Sequence, residues 1–144
     1  MTQRIINLAE EVKDYLNASS DFPEITNAER VYVPKIELTT TATLKTLVAG
    51  VETDRTRAAR RIYTEKLAVH VGLFKKFAAS MTNADLDAMV ELLLKIRDHF
   101  IELDSRFEGA RVVSAEPDPL YDLDHVERLR QFSGVVVLTF EEDD

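Results

Sequence analysis

Between Arg60 and Phe77, apolar and polar residues alternate with a period of two. Tyr63, Leu67, Val69, Val71 and Leu73 fall on one side, and Thr64, Lys66, Ala68, His70 and Gly72 on the other. Successive side chains of a strand point to opposite faces, so the pattern predicts a long strand with one apolar face and one mostly polar or small face. A helix would gather Leu67, Val71 and Phe74 but leave Val69 and Leu73 off the stripe, and a mid-helix Gly72 costs about 1 kcal/mol relative to alanine. The rest of the chain is organised around this strand. Leu44 to Thr53 carries a second strand signal, joined to the first by the polar stretch Asp54 to Ala59. So short a link predicts an antiparallel hairpin, because parallel neighbours need a crossover of about a dozen residues or more.

Two stretches repeat at three-and-four spacing instead. Residues 3–17 place Ile5, Ala9, Val12 and Leu16 on one stripe with Leu8 and Tyr15 beside it, which predicts a helix capped by Thr2 with Glu10, Glu11, Lys13 and Asp14 in water. The turn formers of Asn17 to Pro23 end it. Asn83 to Leu103 is the longer helix, with Leu86, Met89, Val90, Leu93, Ile96, Phe100 and Leu103 on its stripe and Arg106 to Gly109 closing it. Thr82 or Asn83 caps its start, where Asp85 and Asp87 suit the positive end of the helix dipole.

Shorter signals fill the gaps. Arg30-Val31-Tyr32-Val33 is an extended run ahead of Pro34, whose missing amide donor places the run at a sheet edge or breaks it there. Thr39, Thr40, Thr41 and Thr43 form a loop entering the next strand. Ala110 to Ala115 reads as a short strand, Pro117-Asp118-Pro119 as a rigid turn, and Leu123 to Arg130 as a short helix capped by Asp122 or Asp124. In Phe132 to Phe140 both faces are apolar, so this strand is central in the sheet or covered by another subunit. The order predicts an α+β fold: a mainly antiparallel sheet with a long hairpin, two main helices packed on one face and one short helix. It forms a single domain over residues 1–140, followed by an acidic tail at 141–144.

Composition narrows the chemistry. The absence of cysteine removes disulfides, thiolate metal sites and cysteine catalysis. A net charge of −8 argues against a general nucleic-acid binder, since Lys and Arg supply most non-specific affinity for phosphates. The opening residues interrupt any apolar signal core with glutamates and a lysine, and no apolar run approaches the ~20 residues that span a bilayer. Synthesis in the cytoplasm is expected. The charge is uneven: Arg55, Arg57, Arg60 and Arg61 crowd one segment, while Glu141, Glu142, Asp143 and Asp144 close the sequence.

Catalytic signals are sparse. There is no glycine-rich phosphate loop and no nucleophile elbow. His70, on the more polar strand face, fits a partly exposed structural residue or a base paired with Glu65 or Asp98. His99 reads as a surface residue near the cation-favouring end of its helix. Asp118, Asp122 and Asp124 lack the glycine and terminal glutamate of a calcium loop and suit helix caps. No cofactor or metal is expected. The arginine cluster has two readings: a solvated tip whose charges discourage edge pairing, or a docking contact for carboxylates or phosphates.

The opening helix, the R-V-Y-V-P segment at Arg30 to Pro34, the arginine-bearing hairpin and L-Y-D-L-D-H-V-E-R-L-R-Q-F-S-G-V-V-V-L-T-F at Leu120 to Phe140 together resemble a tailed-bacteriophage tail-completion protein, also called a tail terminator or minor tail protein of the neck. The resemblance implies a non-enzymatic virion protein, made in the host cytoplasm, whose copies form a homo-oligomeric ring, usually a hexamer. The ring sits at the head-proximal end of the tail tube, ends tube polymerisation and meets the head connector, with DNA only passing through it. The interaction residues are then Arg55, Arg57, Arg60, Arg61, Glu141, Glu142, Asp143 and Asp144, a basic loop of one copy meeting acidic residues of the next. A head-completion or adaptor protein of the neck, and a small enzyme using His70, are the alternatives.

Overall fold

In a computed structural model, residues 2–25, 27–32, 44–59, 62–76, 82–103, 107, 109–117 and 131–142 are described, with 2–3, 51–56, 58–59, 62–65, 76 and 142 described by backbone alone. The expected short helix at 123–130, the threonine loop at 39–43, and Asp118, Asp122 and Asp124 lie outside the described residues. Seven elements follow in order: α1 (Thr2–Ala18), β1 (Ala28–Arg30), β2 (Lys45–Ala59), β3 (Ile62–Lys76), α2 (Asn83–Glu102), β4 (Ala110–Pro117) and β5 (Gln131–Glu142). The fold is α+β, with a five-stranded mixed sheet in the order β1-β2-β3-β5-β4. β1 pairs with β2 in parallel, while the β2–β3, β3–β5 and β4–β5 pairs are antiparallel.

The alternation in β3 sorts its side chains as the sequence reading expects. Leu67, Val69, Val71 and Leu73 are buried in one core with Leu8, Val12 and Leu16 of α1, Leu93, Ile96 and Phe100 of α2, and Phe132, Val136, Leu138 and Phe140 of β5. Both helices therefore share the sheet face defined by those β3 residues. β5 lies between β3 and β4, so its two-sided apolarity reflects an interior position. Its other row, Val135, Val137 and Thr139, is half-buried on the face away from the helices.

Several expectations shift. Thr2 is the first helical residue of α1 and not its cap. Glu10 does not simply face water: its carboxylate accepts from Lys13 Nζ and from Arg30 Nε, each at 2.6 Å, and so ties α1 to β1. The edge strand precedes the expected Arg30–Val33 run, because the Asn17 side chain accepts from the Ala28 amide at 2.7 Å and donates to the Ala28 carbonyl at 3.1 Å. The Val31 amide still donates to the Val48 carbonyl at 2.8 Å, so the extended backbone outlasts β1 by one residue. At Gly50 helix α1 comes close: an added Cβ would stand 2.8 Å from Ile5 Cγ1 and 3.0 Å from the Ile5 carbonyl oxygen. Helix α2 starts at Thr82 with a reciprocal cap, in which Thr82 Oγ1 accepts from the Asp85 amide at 3.2 Å and Asp85 Oδ2 accepts from the Thr82 amide at 3.0 Å.

Candidate functional site

The arginine segment occupies the part of the sheet with the fewest strand neighbours. β1 follows β2 only to Arg30↔Val48, and β5 follows β3 only to Lys66↔Glu141. β2 and β3 remain paired to each other as far as Ala59↔Ile62. Among the described residues, β2 from Arg55 onward and β3 up to Glu65 thus form a two-stranded ribbon. At about 3.3 Å per residue it extends roughly 17 Å past the other strands.

Asp54 to Ala59 is consequently strand, not the connecting loop expected from sequence. A ribbon with no third strand beside it needs no apolar alternation, and that is why its polar residues read as a loop. Arg55 stands opposite Glu65 and Arg57 opposite Tyr63, with a register shift between Arg57 and Ala59 that adds local twist. Arg57 is exposed. Arg60 and Arg61 lie outside the described residues.

The acidic end does not behave as a tail over its first two residues. Glu141 and Glu142 belong to β5. Glu141 is half-buried and lies directly across from Lys66 of β3 on one side and Arg111 of β4 on the other. These are register positions of the three strands, fixed by the backbone pairing. Glu142 stands across from Ala110. Asp143 and Asp144 lie outside the described residues.

The histidines occupy separate environments. His70 sits between Ala49 and Val137 on the sheet face away from the helices, half-buried. Asp98 is on α2 and accepts from Arg97 Nε at 2.8 Å, so the structure does not bring it to His70; Glu65 stands in register with Arg55. His99 is not the surface residue expected. Its Nε2 is hydrogen-bonded to the Tyr15 hydroxyl, and its ring lies 5.0 Å from Phe22, which joins the two helices through an aromatic cluster. Burial there pushes the Tyr15 hydroxyl pKa up. Neither Tyr15 nor Phe22 is marked as a partner by sequence spacing, since the contact spans 84 positions.

Two concavities flank the core. A groove of about 540 Å³ runs along α2 over Leu44, Met89 and Leu92, with Lys75 and Lys95 among its lining residues. A cleft of about 160 Å³ between α1 and β1 includes Ile5, Ile6 and Val31, beside the exposed Tyr32. The Arg30 guanidinium lies 5.1 Å from the Tyr32 ring centroid. Hydrogen bonding to Tyr32 and then to Glu10 holds Arg30 above its ordinary pKa. Neither concavity converges nucleophile, base and anion-stabilising donors on one point. Among the described residues no group of three or more His, Asp or Glu could hold a metal ion, and no helix is long and apolar enough to cross a membrane.

No protein-family model matches this chain, and no curated protein matches it.

Proposed function

We propose that this chain is a structural subunit of a tailed-bacteriophage virion, a tail-completion protein whose copies close into a ring at the head-proximal end of the tail tube. In this reading the ring ends tube polymerisation and offers its outer surface to the head connector. The sheet is mainly antiparallel, with β2 and β3 acting as one long hairpin, and it forms the ring wall. The arginine-bearing end of the hairpin is the arm that engages a neighbour.

The supporting observation is the β2–β3 ribbon continuing past both β1 and β5 with Arg57 exposed on it. A strand pair that outruns its sheet leaves backbone donors and acceptors without further strand neighbours, and arginines on such an edge keep it soluble while selecting an acidic partner. Shape and charge recognition of this kind needs no reaction centre.

Changing Arg55, Arg57, Arg60 and Arg61 together to alanine is expected to leave the thermal midpoint of the isolated protein unchanged. It should abolish joining of tails to heads, scored as infectious particles and as free tails in negative-stain images. Normal particle yield from that variant would remove the arm from the mechanism.

A further inference from the structure

A strand at the edge of a sheet offers its outward N–H and C=O groups to any other extended chain, and folded proteins close such edges with bulges, prolines, charged side chains or a covering group. Among the described residues, β1 and β4 are the edge strands. β4 has two of these devices: a register shift between Val112 and Ser114, and Pro117, which has no N–H to give. β1 has neither. Its two charged side chains do not guard it, because each is engaged within the chain: Glu29 lies 3.7 Å from Lys45 Nζ, and Arg30 lies 2.6 Å from Glu10.

What does cover β1 is a side chain from α1. In a parallel pair, alternate residues of a strand bond to the neighbour, and the residues between them direct their N–H and C=O outward. The Val31 amide donates to the Val48 carbonyl at 2.8 Å, so Val31 and Glu29 face β2 while Ala28 and Arg30 face outward. Asn17 sits at Ala28, accepting from its amide at 2.7 Å and donating to its carbonyl at 3.1 Å. One carboxamide in the last turn of α1 thus supplies the acceptor and the donor that a neighbouring strand would bring. Asn17 is itself exposed, so its removal opens the edge to solvent and to other chains. Tyr32, just beyond, is exposed and gives an added strand an apolar surface to lie against.

We infer that Asn17 guards the β1 edge: it occupies the place where a second copy of this chain would add a strand, and without it two copies pair through β1. Two such edges meeting antiparallel about a two-fold axis would exchange backbone hydrogen bonds at Ala28 and Arg30. That contact joins the same surface of both copies and uses no residue of the β2–β3 arm. The guard therefore stands on the isolated chain and does not depend on the ring reading above.

Sedimentation velocity over a concentration series, read beside circular dichroism, tests the guard. Alanine favours a helix more than asparagine does, so Asn17→Ala leaves α1 able to form. This variant is expected to stay folded and to self-associate roughly tenfold or more tightly than the wild-type chain. Adding Arg30→Pro, which deletes the next outward amide and is tolerated on an edge strand, should return association to the wild-type level. Arg30→Ala in the same background keeps that amide and should not. A folded Asn17→Ala chain that associates no more than wild type, or an association that Arg30→Pro leaves intact, would overturn the guard and reduce Asn17 to a bond within the monomer. Should Asn17→Ala not fold, Asn17→Asp decides in the same way, since it keeps the acceptor for the Ala28 amide and removes only the donor to its carbonyl. The tail-joining result of the arm variant is independent of these outcomes, so the two readings fail separately.

Discussion

A methyl group on Gly50 would stand 2.8 Å from Ile5 Cγ1 and 3.0 Å from the Ile5 carbonyl oxygen. The side chain can turn aside, but the carbonyl belongs to the helix backbone, so α1 must move as a unit. Gly50→Ala is therefore expected to lower stability by about 1–3 kcal/mol in urea denaturation, and Ile5→Ala to restore only part of it. Glu10 gives a pH-dependent contribution at the same junction. Hydrogen bonds from Lys13 and then Arg30 hold its carboxyl below the ordinary value of 4.5. A carboxylate whose folded pKa is depressed stabilises fully above its unfolded pKa, and that contribution is lost as pH falls through the lower folded value. The group is 40% exposed, so its contribution is at the scale of a surface pair, about 0–1 kcal/mol. Glu10→Gln should lower the melting temperature slightly at pH 7 and make no difference once the pH is low enough to protonate the wild-type carboxyl as well. An unchanged melting temperature at pH 7 would show that the two ion pairs do not matter.

At the scale of elements, the cap on α2 is the cleanest local device. Thr82→Ala removes an acceptor for a helix N-terminal amide, which costs about 1 kcal/mol, and circular dichroism melts should show it. This helix was legible because its stripe, cap and length all point the same way; Thr82 was one of two candidate caps, and the sequence reading named Met89, Leu93, Ile96 and Phe100 among its apolar positions. Leu92 escaped that reading and is buried, because the core-facing arc of α2 is wider than a single three-and-four stripe. β3 was legible through its alternation, and β5 through an apolar run with both faces apolar. β1 was displaced by two residues, since its position is set by the Asn17 side chain, 11 positions away in sequence. The extension of β2 through Asp54–Ala59 left no mark for a related reason: strand identity there comes from pairing with β3, not from burial. Candidate-site residues divide in the same way. Arg57 was found by charge clustering, whereas the use of Glu141 inside the sheet depends on register, which composition does not encode.

Taken as a whole molecule, the chain has a well-packed interior and an uneven exterior. Core side chains from both helices and from β3 and β5 are almost fully removed from water, so the fold does not depend on a partner for its centre. Among the described residues, the exterior includes Arg57 on the ribbon and Asp87, Glu91, Asp98 and Ile101 of α2, and the sequence carries a net charge of −8. In the proposed ring each copy folds first and docks afterwards. The most direct measurement is electron cryomicroscopy of purified particles carrying this protein with a C-terminal tag, localised by difference density. The tagged density is expected as a closed ring at the junction between tail tube and head connector. Particles with no such density, and the tagged chain recovered entirely in the soluble fraction of the lysate, would contradict the proposed role.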